Sequence, residues 1–482
     1  MSTENSALLT DFYALTMSQG YFRKKISGKA VFEMFFRRQP YDGGFSIFAG
    51  LGPLLEKLAS FSFSAEDIEY LRNLGIFGED FLEYLKNFRF RGTLWAVDEG
   101  TVVFPLEPLI RLEGDIIECQ MIEAMLLNTV NFQSLIATKT ARVWLASGKG
   151  QVMEFGLRRA QGPDGALSAA RASYIGGAWG TSNALAGKVY GIPVLGTMAH
   201  AWVMAFPGEE EAFEAYAEIY PDKTIFLIDT YDTLKSGIVN AIKVGKRLAE
   251  KGKNFGVRLD SGDIHYLALE CRKRLDEAGL HDATITVSND LDESIIQTLS
   301  IAGAPINSWG VGTRMVTGGN DAAFTGVYKL TARHEGGKII PVMKFSDNPE
   351  KTTTPGIKQV WRIKDSAGMA VTDVMSIDNG DNSDTIERGK KYSFWHPQAD
   401  YRHFRHVVEG SAEALLKKRI EEGKPCGTEP DLAEIRLHAA ADLECFDQSY
   451  KRFLNPHVYK VSVTENLRAM KLQLLENYLG DL

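Results

Sequence analysis

Short apolar runs recur between residues 151 and 330, and helix-like patterns, such as 234–250 and 264–278, separate most of them. The runs occupy residues 151–157, 193–199, 224–229, 254–260, 284–289, 308–312 and 324–330. Strand and helix alternating with a spacing of about 30 residues predict parallel βα units. Apolar strands covered on both faces fit either a barrel or a doubly wound open sheet.

Polar side chains gather where these runs end, and their distribution favours the barrel. They occur at residues 154–158, 197–200, 229–230, 258–263, 288–290 and 310–314. The active site of a (β/α) barrel is built from the loops that follow its strands. An open sheet would concentrate such residues at one switch point. The chain is therefore predicted to be an α/β barrel enzyme, with His200 at the end of its second strand.

The rhythm of strand and helix covers only the middle of the chain, so we expect three parts. These are an N-terminal α/β domain at residues 1–148, the barrel at 149–340 and a C-terminal region at 341–482. Within the last part, the pattern predicts strands at 356–375 and helices near 411–421 and 464–478.

Charge and composition exclude several classes of protein. The 482 residues carry a formal net charge of −8, whereas nucleic acids and anionic membranes favour a basic surface. No apolar run reaches the about 18 residues of a membrane helix, and the first residues do not resemble a signal peptide. Four cysteines in so long a chain do not form a disulfide framework. We therefore expect a cytoplasmic protein that binds neither nucleic acid nor membrane.

A glycine-rich segment, residues 154–196, follows the first run and holds nine of the 45 glycines. Glycine lets backbone N–H groups approach an anion closely. Arg158 and Arg159 add guanidinium groups that suit a carboxylate or a phosphate. The alternative is an ordinary loop with surface arginines.

The segment Arg258–Asp263 combines an arginine, two carboxylates and a hydroxyl within six residues. Asp260 or Asp263 could hold ribose hydroxyls or Mg²⁺, which prefers one or two carboxylates together with substrate phosphates. Alternatively, Ser261 or Asp263 caps the helix that starts at residue 264.

Three further candidates follow other runs. Asp290 with Glu293 forms either part of the site or a capping box. Gly310 and Gly312 with Thr313 lie late in the barrel, where phosphate sites often occur. A lone histidine is usually structural, but the position of His200 within this ring of polar ends favours catalysis or phosphoryl transfer.

Several longer runs together resemble the nicotinate phosphoribosyltransferase family. They include LLTDFYALTM (8–17), EFGLRRAQGPDGALSA (154–169), VLGTMAHAWVMAF (194–206), RLDSGDI (258–264) and KFSDNPEKTTTPGIKQVWR (344–362). The resemblance covers nearly the whole chain in order. It implies an irregular barrel of the type II phosphoribosyltransferase fold, an N-terminal α/β sandwich domain completed by C-terminal segments, and C-terminal additions.

The resemblance also implies a reaction. Nicotinate and phosphoribosyl pyrophosphate would give nicotinate mononucleotide and pyrophosphate, a step of NAD biosynthesis. ATP would be a co-substrate, coupled through phosphorylated His200, with Mg²⁺ as cofactor and no protein residue assigned as a metal ligand. The enzyme would be a homodimer with shared active sites.

Particular residues match the family's site. Phe155 would stack on the pyridine ring, and Tyr13 of a second subunit would cover its other face. Arg158 would meet the ring carboxylate or the ring edge. Arg258 and the catalytic Asp260 would contact the phosphoribosyl group, and Ser261 would be a further substrate-binding residue. The remaining matches are Thr181, Ser182 and Asp290 near the substrates, and Gly310, Gly312 and Thr313 at the 5′-phosphate.

Ser182 bears on the choice of base. The nicotinamide-using relative carries an aspartate at this position, which can accept a hydrogen bond from the amide. Serine leaves a nicotinate carboxylate unrepelled, so nicotinate is favoured over nicotinamide. A sugar-phosphate isomerase or aldolase would need a strand-end lysine, and a binding module would not need arginine, carboxylate and histidine on separate strand ends.

Overall fold

The computed structural model describes residues 7–26, 28–346 and 351–480. The chain divides into two compact units. The barrel unit is residues 136–322, and the two-segment unit joins residues 1–135 to 323–482. The predicted boundaries at 148 and 340, and the expected completion of the first domain by C-terminal segments, stay predictions.

The first segment contains helices and short strands, and its last helix runs past residue 135. In chain order they are α1 (Phe12–Lys24), β1 (Lys29–Phe36), β2 (Ser46–Ile47), α2 (Leu51–Ser60), α3 (Ala65–Asn73), α4 (Glu79–Lys86), β3 (Thr93–Ala96), β4 (Val102–Val103), β5 (Ile110–Asp115), α5 (Ile116–Met121) and α6 (Glu123–Ala146).

The barrel unit alternates strands and helices as predicted. They are β6 (Gln151–Glu154), α7 (Gly162–Ile175), β7 (Gly180–Thr181), α8 (Ala184–Tyr190), α9 (His200–Met204), α10 (Glu209–Ile219), β8 (Ile225–Leu227), α11 (Ile238–Glu250), β9 (Gly256–Leu259), α12 (Ile264–Glu277), β10 (Thr284–Val287), α13 (Glu293–Ile301), β11 (Ser308–Val311) and α14 (Thr313–Val316).

The last segment is mostly strand. Its elements are β12 (Gly326–Glu335), β13 (Lys338–Pro341), β14 (Lys358–Lys364), β15 (Ala370–Ile377), β16 (Lys391–Trp395), β17 (His403–Val407), β18 (Ser411–Ala414), β19 (Lys417–Glu421), β20 (Lys424–Pro425), α15 (Leu432–Glu444), α16 (Gln448–Lys451), β21 (Val461–Val463) and α17 (Glu465–Gly480).

One sheet organises the described residues of the barrel unit. Its strand order is β7-β6-β11-β10-β9-β8, and each of these neighbouring pairs is parallel. An isolated parallel bridge between Thr181 and Val194 extends it beyond β7. The carboxyl ends of all six strands therefore lie at one edge of the sheet. The strands are apolar and buried because the helices that connect them cover the faces of a parallel sheet.

Two predicted barrel strands are wrong in detail. The run at 193–199 forms only the bridge at Val194, and His200 is the first residue of α9 rather than a strand end. The run at 324–330 belongs to β12, which pairs antiparallel with β1 in the two-segment unit. An apolar run shows that a strand is buried, but it does not show which sheet buries it.

Aspartate side chains cap the N-termini of helices α12 and α13. Asp263 accepts a hydrogen bond from the Tyr266 N–H at 3.1 Å and begins α12, so the capping alternative holds for this residue. Gly279, at φ +77°, follows the end of that helix. The predicted capping box of Asp290 and Glu293 is wrong, because Asp292 accepts from the Ser294 and Ile295 N–H groups and caps α13.

The two-segment unit is built on two larger sheets in its described residues. One has the order β13-β12-β1-β5-β3-β19-β20, and the other has the order β17-β16-β21-β15-β14-β18. The guanidinium of Arg362 is buried in this unit, where it bonds Asp373 at 2.7 Å and Asp442 at 2.9 Å. The strands predicted at 356–375 and the helix at 464–478 are confirmed as β14, β15 and α17.

The described part of the chain contains no helix long and apolar enough to cross a membrane.

Candidate active site

Arg258 on β9 links three strand-end segments of the barrel unit. Its Nε donates to Ser288 Oγ at 2.8 Å, and its Nη1 donates to Thr197 Oγ1 at 2.7 Å. Its Nη2 donates to Asp260 Oδ1 at 2.9 Å. The fork geometry of guanidinium permits these three directions at once, so Arg258 joins Ser288, Thr197 and Asp260 in one cluster.

Asp260 is the carboxylate at the centre of this cluster. Burial alone would raise its pKa, but hydrogen bonds from Ser288 and Arg258, with the nearby His200, outweigh burial and lower the pKa. The group is therefore an anion at neutral pH. Its side chain keeps 28% of its exposure, so part of the carboxylate faces solvent.

His200 lies beside Asp260. Its Nε2 is 3.8 Å from Asp260 Oδ2, and its Nδ1 is 3.2 Å from Thr230 Oγ1. The side chain is 40% exposed. Both ring nitrogens thus have polar neighbours from different strand ends, and an incoming group can still reach the ring.

Phe155 packs in the same cluster. The Arg258 guanidinium carbon lies 5.8 Å from the Phe155 ring centroid, within the range of a cation–π contact. A Cβ on Gly310 would come within 2.6 Å of Phe155 Cδ2, and one on Gly312 would lie 3.1 Å from the Phe155 carbonyl oxygen. Glycine at 310 is required because any side chain would collide with the aromatic ring.

Glu154 is a buried residue beside the site to which the sequence analysis gave no role. It is buried, and its carboxylate accepts from the Gly156 N–H and from the Thr181 hydroxyl. Its carbonyl oxygen also accepts from the Ser182 N–H at 2.9 Å. Glu154 therefore joins the loop that carries Phe155 to the loop that carries Ser182. A carboxylate inside an apolar strand was the available signal.

Asp229, like Glu154, received no role in the sequence analysis, which placed residues 229–230 at the end of an apolar run. Its Oδ2 accepts from the Asp260 N–H at 3.0 Å and from the Ser261 hydroxyl at 2.6 Å. Its Oδ1 is buried and has no hydrogen-bond partner among the described residues.

Other expected site residues lie outside the cluster of contacts. Arg158 is exposed in a short helical turn, Leu157–Arg159. Asp290 is exposed, and its N–H bonds the Asn289 side chain. Thr313 begins the four-residue helix α14 directly after Gly312. Tyr13 lies on α1 in the two-segment unit, with 46% of its surface exposed.

The described residues contain no group of three or more histidine, cysteine, aspartate or glutamate side chains arranged to hold a metal. This part of the chain therefore has no all-protein metal cage.

At the carboxyl edge of this parallel sheet, an arginine, a carboxylate, a histidine and an aromatic ring come together; these groups suit a phosphorylated sugar and a flat base, the substrates of a phosphoribosyltransferase. Three family models agree. The nicotinate phosphoribosyltransferase N-terminal domain matches residues 8–131, the family model matches 150–367, and the C-terminal domain matches 357–471.

Individual proteins give the same result. The nicotinate phosphoribosyltransferase of Bacillus subtilis is 42% identical over 472 residues, covering 98% of this chain and 95% of its own length. The human enzyme of the same name is 34% identical and covers 96% and 95%. The crystal structure of human nicotinic acid phosphoribosyltransferase superimposes with a TM-score of 0.84 at 31% identity, over 96% of this chain and 99% of that one.

The chain belongs to the nicotinate phosphoribosyltransferase family. The expected family, fold class and enzyme class are thereby confirmed.

Proposed function

We propose that the enzyme joins nicotinate to the phosphoribosyl group of phosphoribosyl pyrophosphate and releases pyrophosphate. The observation that carries this proposal is the cluster of Arg258, Asp260 and His200 beside the ends of β8 and β9, in a chain that belongs to this family. In the reaction, the bond from ribose C1 to the pyrophosphate oxygen breaks, and a bond from C1 to the pyridine nitrogen forms.

The base site is proposed at Phe155. A flat ring can stack on its face, and the exposed guanidinium of Arg158 suits the ring carboxylate. Thr181 and Ser182 line the neighbouring loop, which Glu154 joins to the Phe155 loop. The uncharged side chain of Ser182 supports nicotinate as the base rather than nicotinamide.

The phosphoribosyl site is proposed at Arg258, Asp260 and Ser261. The transition state is cationic at ribose C1, and the lowered pKa of Asp260 keeps an anion there to stabilise it. Asp290 is proposed to contact the same substrate. The backbone around Gly310, Gly312 and Thr313 would receive the 5′-phosphate.

His200 is proposed as the carrier that couples ATP hydrolysis to the reaction. A neutral ring nitrogen would attack the γ-phosphorus of ATP, so that an N–P bond forms, the bond from the γ-phosphorus to the bridging oxygen breaks, and ADP leaves. Water later takes the phosphoryl group and releases phosphate. The 40% exposure of the side chain supports this access.

The residues present fit Mg²⁺ as a cofactor. Mg²⁺ is commonly held by one or two carboxylates together with substrate phosphates, and the partly exposed carboxylate of Asp260 offers one such ligand. When bound, the ion would neutralise the charge of the leaving pyrophosphate.

A homodimer with shared sites and a cytoplasmic location complete the proposal. Phe12, Tyr13 and Met17 are exposed on α1, which supports contact with another subunit. The partly desolvated Tyr13 hydroxyl, near Glu123, has a pKa raised to about 12, so the ring stays neutral. The four cysteines, all in the described ranges, are free thiols, which supports a reducing compartment.

Purified protein tests the reaction directly. Nicotinate and phosphoribosyl pyrophosphate should give nicotinate mononucleotide, measured by chromatography, and ATP should raise the yield. Turnover of nicotinamide without turnover of nicotinate would contradict the choice of base.

The phosphate carrier has a separate test. With γ-³²P-labelled ATP, the wild-type protein should take up label, whereas His200→Ala should lose both the label and the ATP-coupled increase. Equal labelling of the variant would exclude His200 as the carrier.

A further inference from the structure

The end of β8 contacts both members of the His200–Asp260 pair. Asp229 and Thr230 are adjacent in the chain, directly after the buried residues Phe226–Ile228. Asp229 accepts a hydrogen bond from the Asp260 N–H, and Thr230 Oγ1 lies at hydrogen-bond distance from His200 Nδ1.

Asp229 holds the turn that follows β9. Its Oδ2 receives two hydrogen bonds, one from the backbone N–H of Asp260 and one from the hydroxyl of Ser261. Backbone N–H anchoring fixes where the Cα of Asp260 lies, and the bonds from Arg258 and Ser288 fix its carboxylate. Asp260 is therefore held at both its backbone and its side chain.

The other carboxylate oxygen of Asp229 lacks a hydrogen bond from the protein. Oδ1 is buried and has no partner among the described residues. Buried polar atoms are nearly always hydrogen-bonded, and exceptions are often found at functional sites. The carboxylate thus keeps its two bonds to the 260–261 turn although one of its oxygens is left unsatisfied by protein.

Thr230 acts on the histidine. His200 starts a five-residue helix whose N-cap, Ala199, has no side-chain cap. The contact of its Nδ1 with Thr230 Oγ1, 3.2 Å long, restrains the rotation of the ring. A ring restrained at Nδ1 presents Nε2 in a fixed direction, 3.8 Å from Asp260 Oδ2.

We propose that Asp229 and Thr230 are positioning residues that together set the separation and orientation of His200 and Asp260. The proposal rests on the phosphate-carrier role proposed above and deepens it. One rigid strand end would then coordinate the group that carries phosphate with the carboxylate at ribose C1. The coupling of ATP hydrolysis to mononucleotide formation then depends on the contacts that Asp229 and Thr230 make with Asp260 and His200.

The experiment compares four variants in the full-length enzyme. Thr230→Val removes the hydroxyl but keeps the shape, and Thr230→Ser restores it. Asp229→Ala removes both bonds to the turn. Asp222→Ala is the control, because Asp222 precedes the same strand and, within the described residues, pairs only with Lys253 at the surface. Two quantities are measured: the initial rate of ³²P labelling, and the moles of ATP hydrolysed per mole of mononucleotide.

Thr230→Val should lower the labelling rate about three- to tenfold, the range expected for one lost hydrogen bond, and should raise the ATP used per product. Thr230→Ser should return both values most of the way to wild type, a rescue that a merely structural effect would not give. Asp229→Ala should lower kcat more than it raises the KM for nicotinate. Asp222→Ala should match wild type.

The outcomes separate the two proposals. If wild-type protein takes up no label, the carrier role of His200 fails, and Asp229→Ala still tests the positioning of Asp260 through kcat without ATP. If wild type is labelled and Thr230→Val is labelled equally fast, the positioning role of Thr230 is wrong. Equal kcat in Asp229→Ala and wild type would overturn the role of Asp229. Thermal unfolding midpoints identify any variant that is merely unfolded.

Discussion

At the scale of single residues, the side chain of Ser182 determines whether the proposed base site carries a negative charge at this position. It follows Thr181 in the loop that Glu154 joins to the Phe155 loop. Ser182→Asp should reduce kcat/KM for nicotinate and raise kcat/KM for nicotinamide, so that their ratio changes by at least about tenfold. A carboxylate repels the nicotinate anion and accepts from an amide N–H.

Ser182→Asn is the matched control, because it has nearly the same shape without the charge. Steady-state kinetics with both bases measure the ratio for each variant. An equal change in the Asn and Asp variants would mean that size, and not charge, selects the base.

Glu154 gives a prediction about pH. Burial raises its pKa above the usual 4.5, although bonds from Thr181 and Gly156 oppose the rise. Between 4.5 and the raised pKa, the folded state binds more protons than the unfolded state, so this group makes the free energy of unfolding fall as pH rises. Glu154→Gln cannot titrate, so the variant should gain stability relative to wild type as pH increases through that window.

Urea unfolding of both proteins at a series of pH values above 4.5 measures this difference. A difference that does not change with pH would show that burial does not perturb Glu154. The position of a carboxylate in an apolar strand indicates burial, but the sequence does not show which groups bond it and therefore does not give the direction of the pKa shift.

At the scale of elements, the strand and helix rhythm predicted most of the barrel, and tertiary pairing explains where it failed. The segment 411–421 has the composition of a helix, yet it forms β18 and β19. β18 pairs with β14, and β19 pairs with β3 from the other end of the chain. Partners so distant in sequence override local propensity, and a single sequence does not reveal them.

The same limit applies to the site. The sequence placed Arg258, Asp260, Phe155 and His200 at predicted strand ends. The structure brings them into one cluster of contacts although His200 begins α9. The roles of Asp229 and Glu154 depend on which backbone N–H groups their side chains reach. That information arises only when the loops are folded, so spacing along the chain could not supply it.

The start of α13 carries a buried ion cluster that fixes the position of this helix in the barrel unit. Glu293 bonds Lys139 at 2.5 Å and Arg142 at 2.9 Å on α6, and all three side chains are at most 7% exposed. Burial raises the pKa of Glu293, but the two cations outweigh it and lower the pKa. Glu293→Gln should reduce the free energy of unfolding by about 2–3 kcal/mol, because two buried cations lose charge-assisted hydrogen bonds to a shared carboxylate.

Asp222→Asn, in the exposed pair with Lys253, is the control and should cost less than about 1 kcal/mol. Urea unfolding monitored by tryptophan fluorescence measures both. Similar losses in the two variants would show that the buried cluster does not anchor the helix.

At the scale of the whole molecule, the proposed dimer predicts that two inactive chains can restore each other. Tyr13→Ala removes the ring expected from the partner subunit, and Phe155→Ala removes the ring of the chain's own barrel. Each variant alone should lose most activity, because a single aromatic face no longer encloses the base. In a symmetric dimer with shared sites, a hybrid of the two variants contains one site with both defects and one intact site.

Random assortment of the mixed variants makes half of the dimers hybrid, so activity should recover to about a quarter of wild type. The chains are mixed, unfolded and refolded together, and nicotinate mononucleotide formation is measured; each variant refolded alone is the control. Tyr13→Phe keeps the ring and should stay active, which separates stacking from the hydroxyl. If mixing restores no activity while sedimentation shows a dimer, Tyr13 does not serve the partner's site.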